Sequence, residues 1–436
     1  MISRPTVGTS VIAACFAFGS TNSRVQGAAL YWDASNASGI QAGNGNWDTS
    51  NANASGKNWS ESPGGGGNIF WSTTSTPADD AYFTVNGSSL VTVVTNVTVN
   101  SMTFTGTGYS IAGNAGTAVT LAGPNITTNA AASISAVLAG TSGLTKLGTS
   151  TLTLSGVNTY TGTTTVSAGT LTLSGSGTLG AASGAINVAG GTLNLGGLAR
   201  TRTGTVTLTS GSITNGTLNQ TGGNFSVQSG TASAILGGTA GLNKTTSGTV
   251  TLTAANTYTG ATTLSGGILI AGNTNALAGS SSVTLGGGSL HSSVGNINTN
   301  GLTITSGTLA LNGTAAGSAT LASGTNFAMS GGIWSLDLAS STDQIFGSGG
   351  GIFSITGGTF DLGGGGIDYT SSYNLLSGFA SGSVSGLSFS NYDTVNYAAQ
   401  FSPAGVLSFS VIPEPGSALA GLLISAGLFR RRRQRR

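Results

Sequence analysis

The feature that most constrains the fold of this chain is a long internal repeat in which apolar residues alternate with threonine. Residues 143–174 (GLTKLGTSTLTLSGVNTYTGTTTVSAGTLTLS) align without a gap with residues 241–272 (GLNKTTSGTVTLTAANTYTGATTLSGGILIAG), and half of the positions are identical. Successive side chains of a strand point to opposite faces, so this alternation predicts strands with leucine inside and threonine outside. Repetition of this quality indicates a stacked array rather than a compact globule.

The same alternation continues beyond the two copies. Shorter fragments, such as GGTLNLGG, SVTLGGGSL and GLTITSGTLALNG, are separated by glycine, asparagine and serine, which favour tight turns. We therefore expect residues 106–330 to form one run of short strands in an all-β fold. A sandwich and a barrel are alternatives, but frequent small turn residues favour a solenoid with coils of about 20 residues. Its inward positions would include four leucines, namely Leu152, Leu154, Leu171 and Leu173.

A solenoid exposes strand edges at both ends, and those edges must be covered to prevent end-to-end aggregation. The flanking regions have the composition of such caps. Residues 30–105 contain four of the five tryptophans, and residues 331–412 contain the fifth together with several Phe and Tyr. Because aromatic side chains bury much area per residue, we expect both flanks to be β-rich caps.

The repeat resembles the autotransporter-associated β-strand repeat of bacterial passenger regions. The resemblance is specific at residues 143–174 and 241–272 and is one of composition elsewhere. It implies a right-handed parallel β-helix that is displayed outside the cell. Within the repeats, the two NTYTG turns at residues 158–162 and 256–260 are expected to be structural, with Asn and Tyr stacking along the coils.

Residues 1–29 have the order of a secretory signal peptide. Arg4 precedes an apolar segment from Val7 to Phe18, and small residues follow near a predicted cleavage site at Ala29. An alternative is lipoprotein processing at Cys15, but the apolar run continues past that residue. In the favoured case the single cysteine leaves with the signal, and the mature protein has no disulfide.

Residues 413–436 resemble a PEP-CTERM sorting signal. The match comprises a Pro-Glu-Pro motif, an apolar run from Gly416 to Phe429 that we expect to form a short hydrophobic helix, and an arginine block. Such a helix is roughly 21 Å long, shorter than the ~30 Å hydrocarbon layer, which favours a temporary anchor. The alternative, a basic tail that improves solubility, leaves the motif and the apolar run unexplained. The sorting residues are Pro413, Glu414, Pro415, Arg430, Arg431, Arg432 and Arg433.

The two terminal resemblances imply an exported protein of a Gram-negative bacterium. The expected partners are the export machinery, an exosortase-type processing protease and, transiently, the inner membrane, with exopolysaccharide as a candidate partner at the outer surface or in the matrix. Residues 30–415 carry five basic side chains against eleven acidic ones, a net charge of −6. Nucleic acid is therefore not an expected partner.

The sequence offers little for catalysis. No Asp or Glu occurs between Asp80 and Asp337, so the solenoid lacks the paired carboxylates of a glycosidase. The single histidine, His291, has no acidic neighbour in sequence and is expected in a loop. We expect no cofactor and no metal, and we expect the protein not to be an enzyme. A pocket joining Asp337, Asp343, Asp361 and Asp368 would revive a remote alternative, a polysaccharide-acting enzyme.

Two further clusters have competing interpretations. Gly363–Thr370 (GGGGIDYT) fits part of a calcium-binding nonapeptide, but it is a single copy and is expected to be a glycine-rich turn. Trp32, Trp47 and Trp59 stand beside polar residues and could stack on sugar rings, although a buried capping layer is the simpler interpretation. We therefore predict a structural or adhesive surface solenoid, with a carbohydrate-binding surface module as the alternative.

Overall fold

The computed structural model describes residues 27–35, 40–49, 58–65, 68–72, 77–311, 315–338, 342–363 and 366–413. Every regular element in these ranges is a β-strand, which confirms the all-β prediction. Within the same ranges we find no helix capable of spanning a membrane. The expected C-terminal hydrophobic helix lies outside the described residues, and so does the predicted signal peptide apart from residues 27–29.

The N-terminal part of the molecule and the first repeat contain sixteen strands, most of them short. These strands are β1 (Ala29–Trp32), β2 (Gly45–Trp47), β3 (Trp59–Ser60), β4 (Asp80–Phe83), β5 (Ser89–Val93), β6 (Val97–Val99), β7 (Ser101–Phe104), β8 (Tyr109–Gly113), β9 (Ala118–Leu121), β10 (Asn125–Thr128), β11 (Ala132–Ile134), β12 (Val137–Ala139), β13 (Leu144–Leu147), β14 (Thr151–Leu154), β15 (Thr164–Val166) and β16 (Thr170–Leu173).

The remainder of the chain combines short strands with long strands that bend from one face of the solenoid to the next. These strands are β17 (Ile186–Arg202), β18 (Val206–Gln220), β19 (Phe225–Val227), β20 (Gly230–Ala232), β21 (Ile235–Gly238), β22 (Leu242–Lys244), β23 (Thr249–Leu252), β24 (Thr262–Leu264), β25 (Ile268–Ala271), β26 (Val283–Ser292), β27 (Asn296–Thr299), β28 (Leu302–Ala310), β29 (Ser318–Leu321), β30 (Phe327–Ser335), β31 (Gln344–Gly347), β32 (Ile352–Asp361), β33 (Tyr373–Asn374), β34 (Leu376–Ser377), β35 (Ser381–Val384), β36 (Ser388–Ser390), β37 (Tyr397–Phe401) and β38 (Val406–Val411).

The strands stack in parallel, coil upon coil, to form a β-solenoid. On one face Leu152 of β14 pairs with Leu171 of β16, which pairs in turn with Leu193 of β17. The same face continues from Leu193 to Ile213 of β18. The spacing of these four positions along the chain agrees with the predicted coil length in this region.

The interior has the predicted alternation. Leu152, Leu154, Leu171 and Leu173 are fully buried, whereas the threonines between them are partly exposed. Each leucine therefore lies directly above another apolar side chain, and the threonine hydroxyl groups form the outer surface. Burial of apolar area along these stacks is the main stabilising contribution, because the described chain contains no disulfide.

The parallel ladder extends beyond the predicted limits of 106 and 330 on both sides. It includes β4 and β7 at the N-terminal end, and β32 still pairs in parallel with β35 and β36 at the C-terminal end. The flanking coils bury Phe and Trp where the central coils bury Leu and Val, so they lack the Leu/Thr pattern by which the solenoid was recognised. Phe83, Phe104 and Trp334 are such interior residues.

Both ends of the ladder carry antiparallel strands. At the N-terminal end β3 pairs antiparallel with β1, and at the C-terminal end β33, β38 and β37 form a small antiparallel sheet. Phe401 of β37 packs its ring against Phe353 and Phe360 in the last coils. At the N-terminal end β3 thus covers the free edge of β1, and at the C-terminal end the small antiparallel sheet packs on the last coils, as expected of caps.

Candidate functional site

The two NTYTG turns are the most specific polar features of the repeats, and both tie three successive coils together. Asn158 Oδ1 accepts a hydrogen bond from the Leu138 amide at 2.9 Å, and its Nδ2 donates to the Thr178 carbonyl at 2.8 Å. In the second repeat, Asn256 makes the equivalent bonds with Leu236 and Ala276 at 2.9 and 3.0 Å. At a turn, where strand pairing is interrupted, the side-chain amide of each asparagine makes the hydrogen bonds between coils. This confirms the predicted structural role.

The tyrosines of the same turns point into the core. Tyr160 and Tyr258 are fully buried, and each hydroxyl group bonds a buried threonine, Thr164 at 2.8 Å and Thr262 at 2.7 Å. Burial raises the pKa of Tyr160 to about 12 and raises that of Tyr258 as well. Both phenols therefore stay neutral at physiological pH, and their hydrogen bonds fix the turn.

Two lysines occupy inward positions that the sequence analysis did not single out. Lys146 stacks between Ile126 and Val166, is fully buried, and donates from Nζ to the carbonyls of Leu147, Gly148 and Ala168 at 2.8, 2.8 and 3.1 Å. Burial lowers its pKa to about 8. The ammonium group is thus held by carbonyl oxygens alone, without a carboxylate.

Lys244 occupies the corresponding position of the second repeat. It pairs with Leu264, is also fully buried, and its Nζ donates to the carbonyls of Thr246 and Gly266. Burial lowers its pKa. The period-two alternation of the strand could have predicted that both lysines point inward. Leu144 and Lys146, for example, are two positions apart and so belong on one face.

The three tryptophans proposed to stack on sugar are buried, and the sugar-stacking hypothesis is wrong for them. Trp32, Trp47 and Trp59 each have 0% of their surface exposed. The Trp59 ring centroid lies 5.4 Å from that of Trp32 and 5.0 Å from that of Trp47, and Phe83 packs on the same cluster at 5.6 Å. No indole face is free for a sugar ring, and the cluster forms the aromatic layer at the N-terminal end of the ladder.

Of the four aspartates that could have formed an acidic pocket, Asp337 and Asp343 are neighbours, whereas Asp361 and Asp368 are hydrogen-bonded to other residues. Asp343 Oδ1 accepts from the Gly317 amide at 2.7 Å, and burial raises the pKa of Asp343 to about 7. Asp361 Oδ1 accepts from Asn391 Nδ2 at 2.7 Å. The Asp337 amide donates to Asp343 Oδ2 at 3.2 Å. Within the described ranges, no three His, Cys, Asp or Glu side chains are grouped so as to hold a metal ion.

Asp368 closes its own turn. Its carboxylate accepts hydrogen bonds from the Thr370 amide, the Thr370 hydroxyl and the Ser371 hydroxyl, and these bonds lower its pKa to about 2. Gly366 in the same segment has a φ of 71°, in the left-handed region that favours glycine. This geometry agrees with a glycine-rich turn in the described part of residues 363–370.

His291 lies in β26 rather than in a loop, where it pairs with Ile270 and Ala310 on the neighbouring coils. The prediction of a loop was wrong because Gly286, Gly287 and Gly288 suggested a turn, whereas the strand bends there and continues. Partial burial lowers the pKa of His291. At neutral pH its imidazole is therefore uncharged.

The sorting residues lie almost entirely outside the described residues. Pro413 is described and exposed, directly after β38, and the Ile412 amide donates to the Asn396 carbonyl at 2.8 Å. Glu414, Pro415 and the arginines Arg430, Arg431, Arg432 and Arg433 lie outside the described ranges. The motif thus begins where the C-terminal antiparallel sheet ends.

The residues around the predicted signal-peptide cleavage site are part of the ladder. The Ala28 amide donates to Asp79 Oδ1 at 2.8 Å, and the Asp80 amide donates to the Ala28 carbonyl at the same distance. Ala29 pairs with Asp80 as the first residue of β1. A cut after Ala29 would remove these contacts, whereas a cut before Ala28 would keep them.

Comparisons with known proteins agree with this architecture. Residues 144–173 and 242–271 match the Passenger-associated-transport-repeat family. The chain is similar to the "Adhesin BmaC autotransporter" of Brucella suis biovar 1 (strain 1330), with 36% identity over 152 residues. That alignment covers 35% of this chain and 4% of the adhesin. No solved structure gives a significant match to the chain.

Both matched repeats coincide with coils of the solenoid. Each begins at an inward leucine before a buried lysine, contains one NTYTG turn, and ends on a strand of the next coil. Each matched segment of this chain therefore spans about one and a half coils of the solenoid. The comparisons thus relate this chain to passenger-type repeats and to an autotransporter adhesin.

Proposed function

We propose that this protein is an exported structural and adhesive solenoid of the bacterial surface or extracellular matrix. The observation that carries the proposal is the combination of two passenger-type repeats with a solenoid whose two ends are covered. Covered ends prevent uncontrolled stacking of molecules, while the long lateral faces remain available for contact. The similarity to an autotransporter adhesin supports the adhesive part of the proposal.

The lateral surface suits a role in adhesion or matrix building. Outward positions such as Thr153, Thr172 and Thr214 are partly exposed hydroxyl-bearing side chains repeated from coil to coil. An array of neutral hydroxyl and amide groups can form many weak hydrogen bonds with a hydrated polymer, and repetition multiplies them. Few exposed charges mean that such contacts would change little with salt.

We further propose that residues 413–436 direct the protein to the surface through an exosortase-type system. The support is the Pro-Glu-Pro motif at the exposed end of β38, followed in sequence by an apolar run and an arginine block. Arginine blocks resist translocation and remain on the cytoplasmic side, which would hold the protein at the inner membrane until it is processed. At the other terminus, we place the signal cleavage between Gly27 and Ala28, which keeps the Ala28 contacts intact.

Surface location is tested by labelling intact cells of the native host with an antibody against residues 77–311. We expect labelling of wild-type cells and weaker attachment of cells that lack the gene. A protein found only in the cytoplasm of the intact host would contradict the proposal. The same cells supply the surface-extracted protein whose mass tests the sorting step.

Sorting is tested by two variants. Deletion of residues 413–436 should leave the solenoid folded but move the protein to the periplasm or medium. Glu414→Ala should stall processing while membrane association persists, since the apolar run and the arginines remain. Recovery of surface protein that still ends at Arg436 would reject processing and favour a plain membrane tail.

A further inference from the structure

An open groove of about 240 Å³ lies where the third face of the solenoid is interrupted. One wall is the end of β17, residues 199–202, and the other is the loop of the preceding coil around residues 178–182, which forms no strand. We call this feature the arginine groove. Its lining residues include Leu179, Gly180, Ala182, Arg200 and Arg202.

Two arginines stand side by side in this groove. Arg200 and Arg202 are two positions apart on one strand and therefore point to the same side. In the next coil they pair with Leu218 and Gln220, both fully buried. The arginines thus occupy inward positions of the solenoid, at a coil whose missing strand opens the interior to solvent.

The structure holds Arg202 more firmly than Arg200. Arg202 is 3% exposed and donates from Nη2 to the Gly184 carbonyl at 2.5 Å and from Nη1 to the Gly180 carbonyl at 3.4 Å. Arg200 is partly exposed and makes one long bond, to the Gly175 carbonyl at 3.5 Å. The Nε atoms of both side chains are buried and lack a hydrogen-bond partner.

No acidic side chain compensates the two guanidinium groups. The chain contains no Asp or Glu between Asp80 and Asp337. Burial lowers the pKa of both arginines. Because an arginine stays charged at any physiological pH, one buried and one partly exposed positive charge persist in the groove. An anion from outside the chain could reach the partly exposed Arg200 and would supply it with a hydrogen-bond acceptor and the missing charge.

We propose that the arginine groove binds the carboxylate group of a hexuronate unit in an acidic polysaccharide. A planar carboxylate can accept paired hydrogen bonds from a guanidinium group, which matches the fork that Arg200 presents. On the loop side of the groove, Gly180 and Ala182 are small and Thr178 carries a hydroxyl group, so a sugar ring can approach closely there, beside the buried Leu179. An open groove, unlike a closed pocket, lets the polymer continue on both sides.

This inference deepens the proposed function, on which it rests for the source of the ligand. The candidate carbohydrate site is now the arginine groove, because the three tryptophans first considered for that role are buried. The two ideas can fail separately, because surface location is measured in the native host and polymer binding is measured with purified protein.

The test uses the full-length purified chain and a fluorescent oligogalacturonate, with binding followed by fluorescence anisotropy. We expect wild-type protein to bind this probe and not a neutral galactose oligomer of the same length. Arg200→Gln should weaken binding about tenfold or more, since a charge-assisted bond is lost. Arg200→Lys should give an intermediate affinity, because the charge remains and the fork is lost.

A charge-matched variant distinguishes binding in the groove from non-specific attraction of the anionic probe by the net charge of the protein. Arg200→Gln combined with Thr207→Arg has the wild-type net charge, with the new arginine on a different face. We expect this double variant to bind as weakly as Arg200→Gln. Equal binding by wild type and Arg200→Gln, or recovery in the double variant, would overturn the proposal.

Two further controls use the wild-type protein. Free glucuronate should compete with the probe, whereas acetate at the same concentration should compete less; equal competition would overturn the saccharide assignment. Self-association that is abolished by Arg200→Gln in sedimentation velocity would also overturn it, because a second copy of the chain would then supply the anion.

Discussion

The central coils and the C-terminal coils of this solenoid both stack in parallel, but they differ in the side chains that fill the interior. In the centre, the ladder steps from Leu152 to Leu171 and the interior is aliphatic. Towards the C-terminus, the interior column runs from Leu309 to Trp334, Phe360 and Phe389, and each of these steps spans more of the chain than the central one. A longer coil has more chain with which to enclose a wide interior, and close packing of such an interior needs larger side chains. In the C-terminal coils, longer coils and larger interior side chains therefore occur together.

The largest expected effect tests the inward and outward positions in the centre. Leu154→Asp places an unpaired carboxylate in the stack between Ile134 and Leu173 and should cost several kcal/mol or prevent folding. Thr153→Asp, on the outer face of the same strand, should cost less than about 1 kcal/mol. The free energy of unfolding in urea measures both. Equal losses would mean that the facing of β14 is wrong.

The next effect compares interior side chains of the two regions. Trp334→Ala should cost about 4 kcal/mol, because it leaves a large cavity beside Phe327 and Phe360. Leu171→Ala in a narrow central coil should cost about 3 kcal/mol. Denaturant titration of both variants gives the two values. A clearly smaller loss for Trp334 would contradict the claim that the wider coils depend on their aromatic filling.

Smaller losses are expected at the NTYTG turns. Asn158→Ala removes two coil-bridging hydrogen bonds and should cost about 2–3 kcal/mol, since it leaves a buried amide and a carbonyl unpaired. Asn256→Ala should give the same loss, because the second repeat has the same bonds. Thermal unfolding followed by circular dichroism measures both variants. Unequal losses would show that the two turns are not equivalent.

A pH-dependent effect is expected from Lys146. Burial holds its pKa near 8 in the folded state, below its ordinary 10.5, so the unfolded chain binds the proton more tightly. The free energy of unfolding should therefore increase as pH rises from about 8 to 10.5. Lys146→Met should show a smaller increase, because only the buried Lys244 then contributes. A difference between wild type and variant that does not change with pH would contradict the assigned environment.

Almost no effect on folding is expected from removal of residues 414–436. The solenoid and its antiparallel ends lie upstream of Pro413, so the unfolding midpoint of the truncated chain should equal that of the full chain. A large decrease would mean that the tail packs against the described fold. This prediction distinguishes a role of residues 414–436 in protein sorting from a role in the stability of the fold.

These regions also differ in how far their sequences allowed prediction. The inward leucines of the repeats and the structural role of Asn158 follow from a period of two and from turn chemistry. The flanking coils escaped recognition because Phe104 and Trp334 fill positions that Leu occupies in the centre, and glycine-rich bends such as Gly286 look like turns. The arginine groove could not be predicted, because it depends on which coil lacks a strand on the third face.

The sorting residues and the organisation of the termini remain predictions from sequence. Trp32, Trp47 and Trp59 illustrate the opposite case, in which an aromatic residue beside polar neighbours fits either a cap or a sugar site. Local sequence does not reveal burial when the packing partners come from distant positions, as Phe83 does for this cluster.

The central claim, that each coil stacks directly on the one before, is tested most directly by one distance. Thr151 and Thr251 lie on the same outer column and are connected by five steps through Thr170, Thr192, Ser212 and Thr231. With Cys15 replaced by Ser, spin labels at Cys-substituted Thr151 and Thr251 should give a narrow electron–electron distance of about 24 Å, five times the strand spacing. A broad distribution, or a mean distance far longer than five strand spacings, would contradict the solenoid.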